Sequence, residues 1–175
     1  MKKRTLTLTL PLIGIAATSL AASEHLFNFA FKRVNYVPET SADKQKYADA
    51  YYAYVDWYQH VTKEKWYLHE HDPKNRMVAE YIPAATPSQQ TVIISHGYKG
   101  NGETMANFAQ MYHHLGFNVL LPDDRGHGES AGEYISFGWL DRLDYLQWIQ
   151  QVIDRSTADV NILLFGVSMG GATME

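Results

Sequence analysis

Gly166-Val167-Ser168-Met169-Gly170 is a G-x-S-x-G run, and Val160-Asn161-Ile162-Leu163-Leu164-Phe165 ahead of it reads as a buried strand. A strand that reverses abruptly into a helix at this spacing holds one serine hydroxyl clear of the backbone. The positions two before and two after the serine must then lack side chains. Gly166 and Gly170 meet that need. The pattern is a nucleophile elbow, with Ser168 as nucleophile and the backbone N–H of Met169 beside it as an oxyanion donor. The bland reading of Ser168 is a helix N-cap in a glycine turn. Gly171 and Ala172 would let the following helix pack tightly on a sheet.

Two upstream runs bear on the same chemistry. Ser95-His96-Gly97-Tyr98-Lys99-Gly100-Asn101-Gly102 is a glycine-rich turn after an apolar strand, and the backbone N–H of Tyr98 is expected to complete the oxyanion hole. His96 has the chemistry of a general base, but its place ahead of the nucleophile in a His-Gly turn favours a structural hydrogen-bonding role. Pro122-Asp123-Asp124-Arg125-Gly126-His127-Gly128-Glu129-Ser130 pairs carboxylates with Arg and His, a composition open to acid–base or metal chemistry. Adjacent Asp123 and Asp124 would point in different directions, however. A tight glycine turn favours Asp–Arg and His–backbone bonds that brace the loop instead. His69 with His71, read as alternating on a strand, and His113 with His114, read on a helix, have no third ligand at metal spacing, so no metal is expected.

The elements that must position these loops follow from periodicity. Tyr47, Tyr51, Tyr54, Val55 and Tyr58 mark one face of a helix from Ala42 to Gln59, an aromatic stripe of the kind that packs. Trp66–Glu70 and Met77–Ile82 read as strands of an opening hairpin around the turn cluster Asp72-Pro73-Lys74-Asn75. Pro83–Gln90 is a linker into the strand Thr91–Ser95. A helix from about Glu103 to Leu115 follows, with Met105, Phe108, Ala109, Tyr112 and Leu115 on its inner face and Gly116 as its stop. Phe117–Leu121 is again a strand. A helix from about Trp139 to Arg155 is expected to turn Leu140, Leu143, Ile149, Val152 and Ile153 inward. Short apolar strands alternating with amphipathic helices give a doubly wound, mostly parallel α/β sheet, whose carboxyl edge gathers the three loops.

The chain has 175 residues, 46% of them hydrophobic and 19% charged, which suits one core. Its formal net charge of -4 gives no basic surface for phosphate backbones, so nucleic acid is not an expected partner. Cysteine is absent, which removes disulfides, thiolate nucleophiles and Cys-ligated zinc together. Lys2-Lys3-Arg4 precede an uncharged stretch from Thr5 to Ser23, and apolar character continues through Leu26-Phe27-Asn28-Phe29-Ala30-Phe31 before Lys32-Arg33. This is an export signal. Small residues Ala21-Ala22-Ser23 would suit cleavage, whereas the apolar continuation favours an uncleaved membrane anchor with the remainder outside. The chain divides into a signal or anchor at 1–31, a helical lead-in at 32–65 and a sheet domain at 66–175.

From Trp66 to Glu175 the chain resembles the α/β-hydrolase superfamily, and within it the exported serine-aminopeptidase-like, cell-surface hydrolases of Gram-positive bacteria. The resemblance rests on Ile93-Ile94-Ser95-His96-Gly97-Tyr98, on Leu121 to Ser130, and on Phe165-Gly166-Val167-Ser168-Met169-Gly170-Gly171. It implies an eight-stranded, mostly parallel sheet, no cofactor, and a Ser-His-Asp triad in the order serine, acid, histidine. The route it implies is an acyl-enzyme: serine attacks a carbonyl, alcohol or amine leaves, and water releases the acid. The triad's acid and histidine would follow Glu175, so the chain reads as the amino-terminal half of an exported hydrolase acting on small carboxylic esters. A peptidase or acyltransferase on the same scaffold, and a non-catalytic remnant of the fold, are the alternatives.

Overall fold

The computed structural model describes residues 3–34, 45–156 and 159–175, the side chains of 3–15 and 45–48 excepted. The chain forms two compact units, Met1–Lys32 and Arg33–Glu175. The first is the helix α1 (Lys3–Phe31), along which Phe27 and Phe31 stack one turn apart, with ring centroids 4.8 Å from each other. Leu20, Leu26, Phe27 and Phe29 on it are exposed. Among the described residues no helix is long and apolar enough to cross a membrane.

The second unit is a mixed sheet of five strands, β1 (Glu64–Leu68), β2 (Met77–Ile82), β3 (Gln90–Ser95), β4 (Asn118–Pro122) and β5 (Asn161–Gly166), in the order β1-β2-β4-β3-β5. β1 and β2 form the expected hairpin, closed by an Asx turn: Asp72 accepts hydrogen bonds from Lys74 N (3.1 Å) and Asn75 Nδ2 (2.8 Å). β2 runs antiparallel to β4, whereas β4, β3 and β5 are parallel. The sheet is therefore less uniformly parallel than its alternating sequence suggested. β1 ends at Leu68, so His69 and His71 lie in the hairpin turn and not on a strand, and they share no sheet face.

Period-two alternation splits the core between the two faces. Val92, Ile94, Val119 and Leu121 point to one side, where Tyr58 of α2 (Gln45–His60) and Met105, Ala106 and Ala109 cover them. The last three come from the 3₁₀ turn Gly102–Met105 and α3 (Ala106–His114). Ile93 and Leu120 point to the other side, beneath Tyr145, Trp148 and Val152 of α4 (Asp141–Arg155). The β-branched run of β3 is buried on both faces, as a central parallel strand requires.

Three helical faces depart from the sequence reading. On α2, Tyr58 is buried but Tyr54 is exposed, and Trp57 packs on the core in its place; residues 42–44 and the side chain of Tyr47 lie outside the described residues. Leu115 is exposed beyond the end of α3, where Gly116 takes a φ of +86°. The largest departure is α4, whose Leu140, Leu143 and Ile153 face solvent while Asp141, Asp144, Tyr145 and Trp148 are buried.

Candidate active site

Because β3, β4 and β5 are parallel, the loops that leave their carboxyl ends converge on one edge of the sheet. The elbow leaves β5. Ser168 sits between β5 and the short helix α5 (Met169–Thr173) with φ 55° and ψ -116°, a conformation that side chains rarely adopt. It is exposed and occupies the N-cap position, yet its side chain makes no capping bond, so the helix-cap reading does not account for it. Close approach explains the flanking glycines. A Cβ on Gly166 would lie 2.2 Å from Gly170 O, and one on Gly170 would lie 2.4 Å from Ser95 O. Met169 is the first residue of α5, where backbone N–H groups lack intrahelical acceptors.

The β3 loop meets the elbow at Gly97, where an added Cβ would lie 3.4 Å from Val167 O and 3.7 Å from Ser168 Cβ. Tyr98 follows, its ring stacked on Phe137 at 5.2 Å. Lys99, Phe137 and Ser168, neighbours in this region, are three of the four non-glycine residues with positive φ among those described. Strain of this kind costs about 1–3 kcal/mol per residue and persists where surrounding contacts over-determine it. For Lys99 and for the segment carrying Phe137 those contacts come from the β4 loop and from α4.

In that loop Asp123 and Asp124 do point apart. Asp123 accepts hydrogen bonds from Gly102 N (2.9 Å) and Glu129 N (2.7 Å), tying the β4 loop to the 3₁₀ turn. Burial pushes its carboxyl above the usual range. Asp124 accepts from Tyr145 Oη at 2.8 Å and from Ser95 Oγ at 3.3 Å. Burial raises it from an ordinary 3.8 to about 7, against the pull of His96 and those two hydroxyls. Ser130 Oγ donates to Asp123 O (2.7 Å) and accepts from Val78 N (2.9 Å), fastening the loop's far end to β2.

The expected Asp–Arg bond exists, but with a different partner. Arg125 grips Asp144 of α4 through two parallel bonds, Nε–Oδ2 at 2.7 Å and Nη2–Oδ1 at 2.8 Å. Its backbone N–H donates to Asp141 Oδ1 (2.9 Å), and Asp141 also accepts from Gly138 N (2.9 Å) and from the Ser136 hydroxyl. The two α4 carboxylates thus hold both the β4 loop and the segment carrying Phe137. The sequence reading missed them, although their spacing to Tyr145, Trp148 and Val152 marks one helical face. Arg33 was also missed: its guanidinium donates to the carbonyls of Gly128 and Ser130, and its N–H to Glu133 O (2.9 Å).

His96 and His127 are buried and stand edge to face, with centroids 4.8 Å apart. His96 Nδ1 donates to Gly97 O (2.8 Å) and its Nε2 accepts from Asp124 N (3.0 Å). His127 Nδ1 donates to Arg125 O (3.0 Å) and its Nε2 accepts from Lys99 N (3.1 Å). Both ring nitrogens of both histidines are therefore engaged by backbone, which is the structural role expected for His96. Burial, helped by the neighbouring His96, lowers His127 from an ordinary 6.5 to about 4. His113 Nε2 meets Pro83 O at 3.1 Å, and no group of three metal-ligating side chains occurs among the described residues.

Comparison with known proteins agrees with this architecture. The chain is 32% identical over 91 residues to the uncharacterized protein YqkD of Bacillus subtilis, a match covering 52% of this chain and 29% of that one. It is 36% identical over 106 residues to the uncharacterized protein YfhR of Escherichia coli, covering 57% and 36% respectively. In fold it is similar to the Pyrococcus furiosus esterase Pf2001, with a TM-score of 0.61 at 21% identity over 81% of this chain and 50% of that one. An α/β serine hydrolase homologue from Coxiella burnetii gives 0.53 at 22% identity, covering 63% and 54%. The chain thus spans about a third of the length of these curated relatives and about half of these solved structures. The sequence profile of the serine aminopeptidase S33 family matches residues 86–174, which take in all three loops of the site. The chain belongs to the serine aminopeptidase S33 family of α/β hydrolases.

Proposed function

We propose that the protein is a serine hydrolase that cleaves small carboxylic esters through an acyl-enzyme on Ser168. The observation that carries this reading is the strained, exposed, uncapped Ser168 at a strand-to-helix turn whose flanking glycines leave no room for side chains. The Ser168 hydroxyl attacks the ester carbonyl and the alcohol leaves with a proton. Water then attacks the acyl-serine, releasing the acid and restoring the hydroxyl. The backbone N–H groups of Tyr98 and Met169 hold the oxyanion in both steps, at about 3 Å each. The chemistry calls for no metal or cofactor. His96 and His127 are committed to backbone, so the base that takes the serine proton is assigned to a histidine following Ser168, as the family's triad order implies.

A fluorophosphonate probe and a short-chain aryl ester test the reading. In a protein that continues through the acid and histidine, Ser168 takes up the probe stoichiometrically and ester hydrolysis shows a burst. Ser168→Ala abolishes both. The 175 residues alone give no turnover, because serine is a weak nucleophile without a base. Tyr98→Phe stays within about tenfold of the parent, because only its backbone acts. A loss from Tyr98→Phe equal to that from Ser168→Ala would make the phenol catalytic and overturn the oxyanion assignment. Faster cleavage of an aminoacyl anilide than of the ester would replace esterase with peptidase.

A further inference from the structure

The two buried histidines brace each other's loops. His96 leaves β3 but its Nε2 accepts the Asp124 N–H of the β4 loop, at 3.0 Å. His127 belongs to the β4 loop but its Nε2 accepts the Lys99 N–H of the β3 loop, at 3.1 Å. Each ring can accept there only while that nitrogen carries no proton, and each Nδ1 is fixed as a donor by a carbonyl, Gly97 O for His96 and Arg125 O for His127. Lys99 takes a φ of +60°, a conformation that a side-chain-bearing residue does not hold without support. Tyr98, the oxyanion donor assigned above, immediately precedes it.

We propose that His127 is the positioning residue of the oxyanion loop: as a neutral Nδ1–H imidazole it accepts the Lys99 N–H, holds Lys99 in its left-handed conformation and so aims the Tyr98 N–H at the site. This rests on the serine-hydrolase reading for its catalytic consequence, but not for the hydrogen-bond geometry. Protonation of Nε2 would set an N–H against the Lys99 N–H and release the loop. The charged and titratable groups facing His127 are His96 from the β3 loop, Asp141 from α4 and Arg33 from the segment ahead of α2. Two of these three disfavour a second proton on the ring. Burial does so more strongly, which keeps the ring in its accepting form at neutral pH.

Nitrogen-15 imidazole spectra of the full chain test the arrangement without requiring activity. His127 is expected to show a pyrrole-type Nδ1 and a pyridine-type Nε2 at pH 7, unchanged until well below the ordinary histidine range. An Nε2–H tautomer or an imidazolium at pH 7 overturns the proposal. Hydrogen exchange at Lys99 N–H should quicken about tenfold in His127→Ala, the worth of one neutral hydrogen bond, and return towards the parent rate in His127→Gln, whose Oε1 can accept in the same place. Failure of Gln to restore protection overturns the acceptor role, even if Ala merely loosens the fold. In a protein that hydrolyses ester, His127→Ala should lower kcat by about tenfold or more with little change in KM, since an oxyanion contact acts in the transition state, and Gln should recover it. A change confined to KM overturns the positioning role. Absence of ester hydrolysis in the parent defeats the functional reading alone, because the spectra and exchange rates still decide the brace.

Discussion

Asp124 and His127 lie three positions apart in the same loop and are shifted in opposite senses, both by burial that disfavours their charged forms. Asp124 is raised from 3.8 to about 7, so its contribution to stability is present below about pH 4 and is lost as pH rises through about 7. His127 is lowered from 6.5 to about 4, so its contribution is present above pH 6.5 and is lost as pH falls through about 4. Between those limits the two slopes oppose each other and flatten the profile. Asp124→Asn keeps an oxygen for Tyr145 while removing the buried charge. The variant should gain Tm relative to the parent as pH rises from 5 to 8.5; a difference that stays constant across that range would mean Asp124 does not titrate there. The turns that carry Tyr98 and Met169 were legible, because a glycine-rich turn after a strand and a G-x-S-x-G run are recognisable motifs. Asp144 was not, because its role is set by Arg125, nineteen positions back along the chain.

At the scale of elements, the strands were legible to within a residue or two, since a run such as Thr91-Val92-Ile93-Ile94 has few uses other than a buried strand. The helix α4 was legible as a helix but only partly as an oriented one. Apolar periodicity selected Leu140, Leu143, Ile149, Val152 and Ile153, of which Val152 is buried and Ile149 packs against the core, whereas the rest of the buried face is Asp141, Asp144, Tyr145 and Trp148. The rotation has a physical cause: the inner face of α4 must supply carboxylates to the loops as well as rings to the core, and carboxylates count against burial in any hydrophobic pattern. Substitution distinguishes the two orientations. Leu143→Lys, on the outer face, should change stability by no more than about 0.5 kcal/mol, and Trp148→Ala should cost about 3–5 kcal/mol in urea unfolding. A large loss from Leu143→Lys together with a small one from Trp148→Ala would restore the sequence-based face.

For the whole molecule, the sheet exposes one apolar border. β5 is an edge strand among those described, with Leu163 and Leu164 exposed. Such an edge pairs readily with other strands, so Leu164→Lys should lower light scattering on concentration; unchanged scattering would place the association elsewhere. For the amino-terminal segment we propose export, with segment 5–31 retained as a membrane attachment, on the basic triplet, the uncharged stretch and the exposed Leu26, Phe27 and Phe29 of α1. Amino-terminal sequencing of membrane and medium fractions from a Gram-positive host decides it. Recovery from the medium of a chain beginning near Glu24 would replace attachment with cleavage.

The grip of Arg33 on the carbonyls of Gly128 and Ser130 would set a limit on any maturation that the proposed export entails. A peptidase that cut near Ser23 would release a protein whose β4 loop keeps that clasp. A cut only ten residues further on would carry the arginine away with the leader and leave the two carbonyls without their cation. Under the proposed export, the segment between Ser23 and Arg33 is therefore the margin within which processing preserves the clasp, and trimming beyond it is expected to loosen the β4 loop without touching Ser168.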